Sequence, residues 1–199
     1  QHHLPRGRYA AWWFCCIPRA VVQEQGYPLP VFLKGDDMEY AMRSGREIMT
    51  MDGIGVWHAA FAAKENPVVG YFNDRNRLIL LALLPYGNRW RTLVAALARL
   101  ANRIVHRDGA GILLYECVLQ DYALGLENIT SVGSDVFFQG IRAWQSPHGL
   151  VMSILCSIVG CVDVFLHDRE IRDSYRRFVA EHLCDAVFWR RFLGIAPSP

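Results

Sequence analysis

Gly35-Asp36-Asp37-Met38-Glu39-Tyr40 sets two adjacent carboxylates directly after a glycine. In a loop that opens a helix, such a pair suits general-base work. One acid is held while the other faces the substrate, and crowding of like charges raises one pKa. His58, at the end of the run Val56-Trp57-His58, can reach the same pocket and offer a ring nitrogen to a metal. Trp12-Trp13 supplies flat apolar faces on which a sugar ring can stack. Each feature also has a plainer reading: a helix N-cap for the acids, a buried partnered histidine, and core tryptophans. Composition and spacing by themselves leave an α/β segment with a candidate acid site.

The elements that would position these residues follow from pattern. Residues 9–17 are aromatic and apolar and read as a buried strand ended by Pro18. Residues 20–25 read as a short helix stopped by Gly26. Tyr27-Pro28-Leu29-Pro30 must be extended, because each proline pushes its predecessor out of the helical region. A helix over 37–44 follows, with an acid at its start to suit the dipole. Residues 48–57 read as strand, turn and strand around Asp52-Gly53.

After Pro67 the pattern turns helical, over 68–84, 90–105, 113–126 and once or twice within 174–193. In the segment 90–105, Leu93, Val94, Leu97, Leu100, Ala101, Ile104 and Val105 make one stripe, with Arg99, Arg103 and Arg107 opposite. This predicts an apolar face turned inward and solvated arginines. The same amphipathicity also suits a helix lying on an anionic membrane surface. Residues 149–166 have about the minimum length for a membrane span. Small residues and Asp163 make a buried helix the preferred expectation there. The expected fold class is therefore α/β over 1–66, as the end of a truncated domain, followed by a mainly α-helical domain over 67–199.

A net charge of +2 gives no global case for nucleic-acid binding, although seven arginines and no acid stand between residues 75 and 107. Six cysteines occur without a CxxC pair and read as buried free thiols in a reducing compartment. Gln1-His2-His3 does not read as the start of a signal peptide.

Taken together, Trp12-Trp13-Phe14-Cys15-Cys16-Ile17-Pro18, Leu29-Pro30-Val31-Phe32, Gly35-Asp36-Asp37-Met38-Glu39-Tyr40 and Val56-Trp57-His58 resemble, in order and spacing, the family-2 galactofuranosyltransferases that build galactan. Tyr71 with Arg75-Asn76 resembles that family's aromatic–Arg–Asn helix, and Phe188-Trp189-Arg190-Arg191-Phe192-Leu193-Gly194 its closing segment. The resemblance is weak over about 140–170. It implies an inverting, metal-dependent GT-A enzyme using UDP-galactofuranose and a glycan or lipid-linked glycan acceptor. By the same resemblance Asp37 is the catalytic base, Asp36 holds the acceptor or orients the base, Trp12 and Trp13 line the acceptor site, and His58 is a metal ligand. A divalent cation, Mn²⁺ or Mg²⁺, would neutralise the departing diphosphate. A cytoplasmic location is implied, with peripheral contact at the inner face of the plasma membrane, and self-association into a homo-oligomer is compatible with it.

One departure is large. The family binds its metal mainly through an Asp-x-Asp ahead of the Trp-Trp strand, and this sequence contains none. The expectation is a truncated chain that is inactive alone. The alternatives are a metal-dependent hydrolase built on Asp36, Asp37 and His58, and a non-catalytic helical assembly module.

Overall fold

The computed structural model describes residues 2–4, 9, 11–53, 55–57 and 66–195. In chain order the elements are β1 (His2–Leu4), α1 (Arg19–Gln25), α2 (Asp36–Ser44), β2 (Ile48–Thr50), α3 (Pro67–Leu83), α4 (Arg89–Val105), α5 (Gly109–Thr130), α6 (Ser134–Ala143), α7 (Leu150–Leu166), α8 (Asp168–His182) and α9 (Ala186–Phe192).

Helices α3, α4 and α5 are started by their own side chains. Asn66 accepts from the Val69 amide with Pro67 in the first turn, Asn88 accepts from the Trp90 and Arg91 amides, and Asp108 accepts from the Gly111 amide. Each satisfies amide donors that a helix start otherwise leaves orphaned. α5 runs through the middle, packed on α3, α7 and α8, and is kinked where Gly125 takes φ 83°. Phe72, Ile79, Val118, Leu126, Ile129 and Phe178 form its core, all essentially inaccessible to solvent.

The α/β expectation for residues 1–66 is corrected by this architecture. Among the described residues the strands are β1 and β2 alone, three residues each, paired antiparallel with His3 opposite Met49. No parallel sheet is formed among them. Residues 11–18 are turn and irregular chain, with Trp13, Phe14 and Ile17 exposed, rather than a buried strand. An apolar run becomes a strand only where neighbouring strands take up its backbone N–H and C=O groups, and among the described residues no strand pairs with this one. His58 lies outside the described residues.

Two further expectations change. The apolar stripe of α4 does not all turn inward: Val94, Ile104 and Val105 are exposed, while Arg103 is buried. The cause is Asp74 on α3, which is buried and draws in both Arg99 and Arg103, each with N···O 2.5 Å. A buried carboxylate must be paired, and that requirement sets the helix rotation against its hydrophobic pattern. Helix α7 is half buried rather than buried. Ser153, Ser157, Cys161 and Val164 face the core, and Val151, Val159 and Leu166 face out. No single helix among the described residues is long and apolar enough to cross a membrane.

Candidate functional site: a groove ending at Asp36 and Asp37

The loop before α2 is held by three distant segments. Asn76 on α3 donates through its amide nitrogen to the carbonyls of Val31 (3.1 Å) and Lys34 (2.7 Å), and approaches that of Leu33. Arg75 is fully buried and donates to the Val31 carbonyl at 2.9 Å and to the Asn76 side-chain oxygen at 2.8 Å. Its guanidinium lies over Tyr71, Phe72 and Phe137 at 5.1–5.4 Å. That aromatic cage offsets part of the cost of burying a cation. Tyr71 in turn donates to Asp121 at 2.5 Å, which brings a negative charge into the same network. From the C-terminal side, Phe192 of α9 stacks on Phe32, and Trp189 packs on Tyr27.

These contacts hold a strained turn. Phe32 and Lys34 have φ of 68° and 65°, in the left-handed region that side chains with a Cβ rarely adopt. Gly35 follows at φ 90° and caps α2; a Cβ there would find ordinary contact with Leu80 and Asn76, so it is the backbone angle that calls for glycine. Only glycine takes that conformation without cost. The carboxylates of Asp36 and Asp37 therefore sit in the first turn of α2, where the helix dipole favours negative charge. They are not its N-cap: the cap residue is Gly35, and no side chain bonds to the cap position.

Asp36, Asp37, Trp12 and Trp13 line one open groove of about 1200 Å³, floored by α3 and bounded by the start of α4. The structure thus brings together four of the five residues singled out in the sequence. Trp12 packs edge-on against Tyr40 of α2, ring centroids 5.6 Å apart, and Trp13 is half exposed. The Met38 amide donates to the Asp37 carboxylate at 2.8 Å. Burial raises the Asp37 pKa above the ordinary carboxylate value, and the charge of Asp36 adds to the rise; the Met38 amide and the Lys34 charge oppose it. A half-buried carboxylate with a raised pKa beside aromatic faces can accept a proton from a bound hydroxyl.

The opposite wall was not anticipated. Arg77, Tyr86, Trp90 and Arg91 complete the groove. Arg91 donates to the Tyr86 carbonyl at 3.0 Å and lies over the Tyr86 ring, which holds this wall in shape. Its signal in the sequence was the run of arginines from residue 75, read there as a helix face rather than as a groove wall.

The groove's described residues do not fit a divalent cation unaided. Asp36 and Asp37 are adjacent acids without a third ligand, and the only three-ligand cluster among the described residues lies elsewhere.

No family model matches the chain. It is 31% identical over 129 residues to the galactofuranosyltransferase GlfT2 of Mycolicibacterium smegmatis, covering 62% of this chain and 20% of that protein. It is 31% identical over 153 residues to the galactofuranosyltransferase GlfT2 of Mycobacterium tuberculosis, covering 72% of this chain and 24% of that protein. The chain spans about a fifth to a quarter of the length of these relatives. The similarity relates it to glycosyltransferases.

Proposed function

We propose that these residues form the acceptor and base side of an inverting galactofuranosyltransferase of the GT-A, family-2 kind. The observation that carries the reading is the placement of Asp37, with its raised pKa, in one groove with Trp12 and Trp13. A glycan acceptor stacks on the tryptophans and presents a hydroxyl to Asp37. The hydroxyl oxygen attacks the anomeric carbon of the UDP-sugar, the bond from that carbon to the diphosphate oxygen breaks, and UDP leaves with the electron pair. The hydroxyl proton passes to the Asp37 carboxylate. Asp36 orients the acceptor or the base.

The donor and a divalent cation, with His58 as one ligand, belong to the proposal for a protein in which this segment stands beside a nucleotide-binding part. The division near residue 66 and a cytoplasmic site of action belong to it too. No step is routed through the cation, since the groove's own residues do not make its site.

The test is a titration of the ¹⁵N-labelled chain with a galactofuranose oligosaccharide. The indole N–H signals of Trp12 and Trp13 should shift, Trp13→Ala should remove the response, and Asp37→Asn should leave it. Shifts confined to α7 and α8, which do not line the groove, would refute the acceptor assignment. In a protein carrying both parts, Asp37→Asn should lower kcat and kcat/KM together by about 10² to 10⁴, as loss of a general base does.

A second reading, a helical assembly module, is favoured by one observation. Val94 and Val105 on α4 and Val151, Val159 and Leu166 on α7 leave apolar side chains exposed on two helices that pack together. Light scattering across a concentration series would reveal self-association through that face.

A further inference from the structure

Three metal-ligating side chains meet at a place that no part of the groove touches. Glu116 comes from α5, His148 from the turn ahead of α7, and Cys156 from α7 itself. One ligand atom of each lies within 4.8 Å of the other two. None of the three lines the groove.

A second observation points to a ligand. The Glu116 Oε2 atom is buried and has no hydrogen-bond partner. Glu116 as a whole is half-buried, and the fully buried acids Asp74 and Glu39 are matched by cations, Asp74 by Arg99 and Arg103, and Glu39 by Arg43. A buried carboxylate oxygen with nothing to accept from is costly. The turn carrying His148 is also held in place for the task. The Ser146 hydroxyl bonds that of buried Ser153 at 2.9 Å and accepts from the His148 amide at 3.2 Å. Ser153 stands one turn before Cys156 on α7, so the same contacts that fix the turn keep the imidazole within 4.8 Å of the thiol.

We propose that Glu116, His148 and Cys156 form a zinc-type metal site that clamps the turn before α7 onto α5 and α7. The donor set decides the class of ion. A thiolate and an imidazole favour a borderline-soft divalent cation over Mg²⁺ or Mn²⁺, and three protein ligands leave a fourth position for water. Metal–donor bonds of about 2.0–2.3 Å set tetrahedral donors roughly 3.5 Å apart. The donors already stand within 4.8 Å of one another, and exposed His148 supplies whatever closure remains. Charge balances as well: one carboxylate and one thiolate neutralise a dication, and the Glu116 carboxylate gains a cationic partner. The site is independent of the glycosyl-transfer reading.

The probe is Co²⁺, titrated into the reduced, metal-free full chain, followed by displacement with Zn²⁺. One Co²⁺ per chain should bind, with a thiolate-to-cobalt charge-transfer absorption that Zn²⁺ abolishes. Cys156→Ser should remove that absorption. His148→Ala alters an exposed side chain and should leave far-UV circular dichroism unchanged. It should weaken Zn²⁺ binding by at least about 100-fold, since even second-shell losses cost 10–100-fold. A Cys15→Ser/Cys16→Ser double variant should keep the absorption. The proposal is overturned if no charge-transfer band forms or if the band survives Cys156→Ser. It is equally overturned if the band disappears with Cys15 and Cys16, or if Zn²⁺ affinity is unchanged in a folded His148→Ala chain.

Discussion

Replacing Asn76 by alanine isolates the contact that fixes the Asp36-Asp37 loop. The side-chain amide has two hydrogens, and it faces the Val31, Leu33 and Lys34 carbonyls. Two backbone hydrogen bonds are lost at about 1 kcal/mol each. Its oxygen also accepts from Nε and Nη2 of buried Arg75, at 2.9 and 2.8 Å. Losing an acceptor for a buried cation costs about 1.5–3 kcal/mol more. Against this, the left-handed turn at Phe32 and Lys34 is free to relax, returning about 1–3 kcal/mol per residue where it does so. With one of the two residues relaxing, the balance is a destabilisation of about 2 kcal/mol, measured by urea unfolding, together with a loosened loop. Hydrogen exchange reads the second part. The Leu33 amide, now bonded to the Val31 carbonyl at 3.0 Å, should lose protection while amides in the middle of α5 keep theirs. Asn88→Ala, which deletes only an exposed helix cap, is the reference at about 1 kcal/mol. If Asn76→Ala costs no more than Asn88→Ala, or if Leu33 stays protected, Asn76 does not hold the loop.

Two other outcomes follow from the charges. Asp74→Ala should cost about 3 kcal/mol, because Arg103 stays buried with only Asp108 to answer it, whereas Arg99→Ala should cost clearly less, its side chain being partly exposed; equal and small losses in urea unfolding would show that the pair does not set the rotation of α4. Asp37 has a folded-state pKa raised above 3.8, so its contribution to stability is fully present below that pH and fades as pH rises through the folded value. Asp37→Asn lacks this loss and should therefore gain on the wild type as pH is raised from about 3 to 7; a stability gap that stays flat or closes would contradict the burial argument.

Helix boundaries were legible where side chains cap their own backbone. Asn66, Asn88 and Asp108 start helices within a residue or two of where periodicity and turn residues put them, except that α5 begins earlier because Gly109-Ala110-Gly111 does not look helical in isolation. What periodicity could not reveal was the facing of α4. Hydrophobic pattern assumes that apolar side chains decide which way a helix turns. Here a single buried carboxylate, Asp74, outweighs Val94, Ile104 and Val105, because an unpaired buried charge costs more than leaving those side chains in water. The strand expected at 9–17 failed for a related reason. Its composition suits a sheet, but a sheet is a property of neighbours, and composition cannot report whether they are there.

The groove shows the opposite case, in which distant residues carried more information than local pattern. Gly35-Asp36-Asp37 alone reads equally as a helix start, and it is one. What separates it from an ordinary helix start is the investment made in its position. Arg75 is buried whole, Asn76 spends both of its amide hydrogens on one loop, and Phe192 closes over Phe32 from the far end of the chain. Strain of this kind persists only where the surroundings over-determine it. A surface helix start needs no such support, since a serine or aspartate cap would begin it at less cost. The Tyr71-Arg75-Asn76 and Phe188–Gly194 motifs, which by themselves suggest no chemistry, make sense as the parts that hold two carboxylates at a fixed place in front of Trp12 and Trp13. The bland account, that these acids only begin a helix, explains α2 but leaves the buried arginine and the left-handed Phe32 and Lys34 without a cause.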